Sequence, residues 1–420
     1  MLREGFLRAG VILLAPSLLR CSSNDADGES TGQGGATSSS STTGAGGGGQ
    51  GGAGGAQGQG GGGGGTQSNL ANLGPLGDPD ENGLRLPAGF TSRIVARSGE
   101  DPTGGSGYLW HGAPDGGAVF AAEGGGWIYV SNCELPGGSG GVGALRFDAS
   151  GELVDAYPIL EGTSRNCAGG HTPWGTWLSC EETALGRVWQ CDPSGVTVAE
   201  VLPALGRFNH EAVAVDPIAE QLYLTEDEPN GRLYRFTPAA YPALGRGTLE
   251  VLRVLEGSEG ATEWLVVPDP SAATTATRLQ VPESTAFAGG EGIWFHEGVV
   301  YFTTKGNNRV WAYDTEDGML TILYDRNTSA TPILSGVDNL IVSDGGDVIV
   351  AEDGGDMEIV AITPSGAIVP LVQVVGQSSS EICGPAFDPS RSRLYFSSQR
   401  GTSGSSAGGI TYEVSGPFFV

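Results

Sequence analysis

Basic side chains are scarce in this 420-residue chain: 21 Lys and Arg stand against 48 Asp and Glu, a formal net charge of −27, and Lys305 is the only lysine. Such a surface repels nucleic acid and anionic membranes, which excludes both as direct partners. Long apolar runs are missing too. The best one, Val11 to Leu19, is interrupted by Pro16 and is too short to cross a bilayer. Helix-compatible composition is also absent, because 51 of the 347 residues after residue 73 are glycine, about twice the usual share of roughly 7%. That abundance argues for many tight turns and excludes an all-helical protein.

The N-terminus reads as an export signal over residues 1–20: Arg3 and Arg8, then the short apolar run, then Cys21. Residues 21–73 form a tether in which 19 of the 35 positions from Thr31 to Gly65 are glycine, a composition that cannot build a core. Cys21 is the expected lipidation site, although Arg20 stands where such signals carry a small residue. The protein is therefore expected in the periplasm or at the cell surface, touching a membrane only through a lipid anchor. Residues 74–420 carry 18 basic and 44 acidic side chains, a net of −26, and form the folded part. An acidic surface acting on an anionic substrate needs bound cations to invert its local field.

Beyond residue 74 a short run recurs: Ile128–Ser131, Thr176–Ser179, Leu222–Thr225, Val300–Thr303, Val348–Ala351 and Leu394–Ser397. The last residues of these runs are 48, 46, 78, 48 and 46 positions apart, and the long interval holds an insertion near residues 241–280. Each run has a strand upstream and another downstream that ends in a turn, as in LYRFTPAA and VWAYDTEDGM. Short strands repeated at about 47 residues predict an all-β fold, a six-bladed β-propeller, in preference to a β-sandwich.

Polar residues follow each run: Asn132-Cys133-Glu134, Cys180-Glu181-Glu182, Glu226-Asp227-Glu228, Thr304-Lys305-Gly306, Glu352-Asp353-Gly354 and Ser398-Gln399-Arg400. The upstream strands begin with a second set, namely His111 and Asp115, Asn166-Cys167, Asn209-His210-Glu211, Glu291, Asp338-Asn339, and Glu381. In a propeller both sets converge on one face. So many acids would repel one another unless cations lay among them. Carboxylates and amide carbonyls are hard donors suited to Ca²⁺. The expected metal ligands are Glu134, Asn166, Cys167, Glu181, Glu182, Glu211, Glu226, Asp227, Glu291, Asn339, Glu352 and Asp353.

Without Cys21, five cysteines remain, an odd number for an exported chain. Cys180 and Cys191 straddle a turn centred on Leu185-Gly186, which predicts a disulfide between them, and Cys133 with Cys383 is a conceivable second bridge. Cys167, flanked by glycines in Asn-Cys-Ala-Gly-Gly, is then the free thiol. A thiolate beside hard oxygen ligands points to a transition metal such as iron.

The stretch Asn166-Cys167-Ala168-Gly169-Gly170, Thr172 to Trp177 and Cys180-Glu181-Glu182 resembles the signature of the PhoX-type alkaline phosphatases. Asn209-His210-Glu211, Thr225-Glu226-Asp227, Glu291-Gly292, Thr304 to Asn307, Asp338-Asn339 and Ala351-Glu352-Asp353 extend that resemblance over roughly residues 108–400. It implies a six-bladed propeller holding Ca²⁺ and Fe³⁺, with Cys167 ligating iron, and hydrolysis of small-molecule phosphate esters by what is expected to be a monomer. Glu291 and Lys305 are the expected catalytic residues. Gly289-Gly290-Glu291 stands where active members carry Arg-Pro-Glu, which removes a phosphate clamp. Two further readings stay open: a calcium-dependent lactonase using Glu291, Asp338 and Asn339, and a metal-stabilised binding propeller without activity.

Overall fold

The computed structural model describes residues 67–420, and the export signal, Cys21 and most of the tether lie outside them. The described chain is all-β and propeller-like. Four sheets of four or five strands stand as blades, and a fifth sheet has nine strands. Its two edges, His210–Asp216 and Gly290–His296, pack side by side, so that this sheet nearly closes on itself. The expectation of six separate blades is thus met by four.

The insertion explains the difference. Ala243–Val254 is an outer strand, and the inserted Gly260–Val266 pairs with it on one side and with Met319–Asp325 on the other. Residues that read as a long loop or hairpin therefore fuse two groups of strands at their outer edges.

Six inner strands surround one axis: Pro114–Ala121, Asn166–His171, His210–Asp216, Gly290–His296, Val337–Val342 and Ile382–Phe387. Each packs against the next, and the last against the first. The recurring aromatic runs lie in the strands paired to these, one step out from the axis. Their side chains wedge between neighbouring sheets: Tyr129 and Tyr395 are fully buried, stack at 5.4 Å, and the Tyr129 hydroxyl donates to the Gly384 carbonyl at 3.0 Å. Burying such rings on both faces of a strand is what makes these runs apolar throughout.

The ends of the chain close the ring. Thr91–Arg97 pairs with Ile410–Ser415 in one sheet, and Leu84–Arg85 adds to another. The folded part starts earlier than residue 74. Ser68 bridges to Phe419 and Leu70 is fully buried in a core cluster, so residues 67–73 belong to the fold and not to the tether. Leu70 was concealed by its polar surroundings.

Candidate metal centre

Every inner strand breaks its pairing register near its start. A bulge of this kind re-aims a side chain at the cost of local ladder bonds. Asp115, Cys167, Glu211, Glu291 and Asp338 lie within five of these breaks, and Cys383 lies at the edge of the sixth. A second tier is fixed by equivalent backbone bonds. Glu134, Glu182, Asp227, Lys305, Asp353 and Gln399 donate their N–H groups to the carbonyls of Ala113, Arg165, Asn209, Gly289, Gly336 and Glu381, at 2.7–3.2 Å.

These residues interlock. The ligand atoms of Cys167, Glu182 and Glu211 lie within 4.8 Å of one another, as do those of Glu211, Glu291 and Asp338, of Asp338, Asp353 and Glu381, and of Asp115, Glu381 and Cys383. Shared members link the triads around the axis. Asp115, Glu211 and Glu291 are 1% exposed and Asp338 is 5% exposed. Burial, followed by the mutual repulsion of these acids, raises the Asp115, Glu211, Glu291 and Glu381 carboxyls well above their ordinary range. Burial and Glu134 lift Glu182 to about 8, and burial lifts Asp338 to about 6. Burial also pushes the Cys167 thiol up, reinforced by Asp115 and Glu211, and its Sγ donates to Glu211 at 3.2 Å.

Few protein cations balance this charge. Lys305 Nζ lies 3.0 Å from Glu291 and 3.4 Å from Asp353; burial opposes its charge, but Glu291, Asp338, Asp353 and Asp227 outweigh that and raise its pKa. Arg400 pairs with Glu381 at 3.0 Å, and Arg165 reaches Glu134 at 3.5 Å. Gln399 donates to Asp115 at 2.6 Å and to Glu134 at 2.9 Å. The Oε2 atom of Glu211 is buried without a partner. Carboxylates packed this densely, with one orphaned oxygen, fit multivalent cations and leave few other means of neutralisation.

The twelve expected ligands divide. Cys167, Glu182, Glu211, Glu291 and Asp353 join the triads. Glu134 and Asp227 stand in the second tier without joining one. Asn339 spends its amide locally, donating to Asp338 at 2.8 Å and accepting from Gly384 N–H at 2.9 Å.

Four expectations need correction. Asn166 bonds Ser179 at 2.9 Å and Thr163 at 2.5 Å inside the fold. Glu181 accepts from Ser164 N–H at 3.2 Å. Glu226 binds the Tyr234 hydroxyl at 2.8 Å and Arg278 at 3.3 Å. Glu352 caps the N–H groups of Ser335 and Glu358 at 2.7 and 3.1 Å. Each pairs across the ladder one position before the residue that reaches the axis, so the pleat turns it the other way. Asp115, Asp338, Glu381 and Cys383 were absent from the expected ligands, although the first three were visible in the upstream polar set.

The expected disulfide is also corrected. Cys180 pairs with Val188, and Cys191 with Trp177, so the two cysteines are offset by three positions and point into different cores. An offset of about 10 Å along a strand exceeds what a disulfide spans. Cys133, Cys167, Cys180, Cys191 and Cys383 are all free thiols.

Beyond the triads, small residues narrow the axis. A Cβ on Gly116 would meet Ala168 Cα at 2.5 Å, and one on Gly292 would meet the Leu340 nitrogen at 2.5 Å. Gly289, at the place of the absent arginine, has φ +65°, and a Cβ there would stand 3.1 Å from Asp227 Oδ1. Ala113 and Arg165, at equivalent places, adopt φ of 44° and 50°.

Two segments, residues 129–195 and 184–321, match the family model for Alkaline phosphatase PhoX. No curated protein matches the chain. Among solved structures, Pseudomonas fluorescens PhoX in complex with vanadate, a transition state analogue, is similar with a TM-score of 0.68 at 16% identity, covering 83% of this chain and 98% of that one. A Bacteroides thetaiotaomicron protein of unknown function gives a TM-score of 0.49 at 10% identity over 77% of this chain and 76% of its own.

Proposed function

We propose that this chain, which belongs to the PhoX-type alkaline phosphatase family, is an exported metal-dependent hydrolase of small-molecule phosphomonoesters. The observation that carries the reading is the set of interlocked triads in which Glu211, Asp338 and Glu381 are each shared. In this reading the nine-stranded sheet is two blades fused by the inserted strand, so that the six inner strands belong to six blades. Ca²⁺ fits the oxygen-only triads, and Fe³⁺ fits the triad containing Cys167. When bound, these ions would supply Lewis acidity and counter-charge to the phosphoryl group.

The chain's own residues set the rest of the chemistry. The Glu291 and Asp353 carboxylates hold Lys305 in place beside the acids, partly exposed, where its ammonium can meet a phosphoryl oxygen as a point charge. Arg400 and Arg165 complete a sparse basic rim. The missing arginine removes bidentate grip, and with it several kcal/mol of stabilisation at a reacting centre. Slow turnover follows.

The test is hydrolysis of a simple phosphomonoester at alkaline pH by metal-replete protein, its chelated form, and Lys305→Met. Expected are slow turnover in the replete protein, none after chelation, and a drop of roughly tenfold or more for the variant, about 1.4 kcal/mol or more. Metal-replete folded protein without phosphatase activity overturns the proposal, and hydrolysis of a lactone instead would transfer it to the lactonase reading.

A further inference from the structure

The triad of Asp115, Glu381 and Cys383 has no place in the resemblance, which assigns one thiol, Cys167. Cys383 is 1% exposed, Asp115 is 1% exposed and Glu381 is 6% exposed, and their donor atoms lie within 4.8 Å of one another. Among the described residues Cys133, Cys167 and Cys191 each find an oxygen acceptor, and Cys180 and Cys383 do not; Cys180 lies in an apolar core cluster, whereas Cys383 is set between carboxylates. A buried thiol with no partner, set between two carboxylates, is not placed there by ordinary polar satisfaction.

Its place in the fold sharpens the point. Cys383 stands at the register break of the last inner strand, as Cys167 stands in the break of the second, and Asp115 occupies the break of the strand between them. The ring thus has a soft side, Cys383–Asp115–Cys167, and a hard side, Glu211–Glu291–Asp338. On the soft side the side-chain cations and amides are already committed, Arg400 to Glu381 and Gln399 to Asp115.

We infer that Cys383, with Asp115 and Glu381, forms a second thiolate-bearing metal position, selective for a thiophilic transition-metal ion over Ca²⁺. The inference rests on the reading that the ring binds metals, but not on phosphatase activity. Two carboxylate oxygens and one sulfur match the borderline-soft preference of divalent first-row metals, which Ca²⁺ does not share. Binding transfers the thiol proton to solvent, so uptake is accompanied by proton release.

The experiment loads the full chain with Co²⁺ and follows the thiolate-to-cobalt charge-transfer absorption in the near ultraviolet. Wild type, Cys167→Ser, Cys383→Ser and the double variant are compared, with bound cobalt counted in each. Expected is loss of roughly half the intensity in each single variant and of all of it in the double. Intensity that vanishes in Cys167→Ser and is unchanged in Cys383→Ser overturns the inference while leaving the ring's metal binding intact; absence of bound cobalt in wild type overturns both. If Cys383→Ser fails to fold, X-ray absorption of cobalt-loaded wild type decides: sulfur on two cobalt positions per chain supports the assignment, and sulfur on one removes it.

Discussion

Glu181 and Glu182 are neighbours with opposite fates. The first pairs across its ladder and turns away to hold Ser164 N–H; the second, tied through its own N–H to Arg165, joins Cys167 and Glu211. The same split separates Glu226 from Asp227 and Glu352 from Asp353. A single step along the pleat therefore divides acids that are hydrogen-bonded within the fold from acids that face one another around the axis. Burial still lifts the outward Glu226 and Glu352 to about 7, whereas at the inward Glu182 and Glu211 the like charge of neighbouring acids adds to burial.

The largest consequence concerns pH. In the folded, metal-free protein Glu182 titrates at about 8 against an ordinary 4.5, and Asp338 at about 6 against 3.8. The folded state then binds more protons than the unfolded chain between these values, so stability falls as pH rises. Chelated protein should melt at progressively lower temperature from about pH 4.5 to about pH 8, with a loss on the order of a few kcal/mol. Saturating Ca²⁺ should remove the part of that fall that comes from Glu182 and Asp338, because metal bound only to the folded state stabilises by mass action, and leave the part that comes from Glu226 and Glu352, which burial lifts to about 7 away from the triads. A pH-dependent fall that Ca²⁺ leaves wholly untouched would contradict the inward assignment.

A smaller effect tests the split within one dipeptide. Glu182→Gln should weaken metal binding by roughly 10–100-fold and make the chelated protein more stable at pH 8, because an isosteric amide removes one buried like charge. Glu181→Gln should leave metal content unchanged and cost less than about 1 kcal/mol, since the amide oxygen can still accept from Ser164 N–H. Equal metal loss in the two variants, read by titration calorimetry, would erase the distinction.

The sequence revealed the repeat because burial on both faces leaves a short, continuously apolar run that can be counted: Ile128–Ser131 and its counterparts fall in the strands paired to the inner six, with only Thr176 lying just before its strand. It revealed the polar convergence as well, since acids clustered at equivalent ends of those runs. It did not reveal which acid of each pair faces inward. That depends on a register break, and a bulge at Cys167 or Glu211 has no compositional mark beyond a small residue after it. Nor did it show that Gly260–Val266 would join two outer edges, because that pairing with Met319–Asp325 is non-local.

The smallest effect follows from the hairpin register around Cys180 and Cys191. Placing the turn at Leu185-Gly186 put the two cysteines opposite each other; the observed pairing of Cys180 with Val188 moves the centre of the hairpin and sends the thiols to opposite faces. A disulfide closing so short a loop would contribute roughly 3 kcal/mol. A non-chelating reductant should therefore leave the melting temperature unchanged. Cys191→Ala should cost only about 1 kcal/mol, the loss expected when a small buried side chain is truncated. A Cys180–Cys191 linked peptide in non-reduced digests, or a melting temperature that falls on reduction, would mean that the strands are shifted by three residues from the register that also carries Glu182 to the axis.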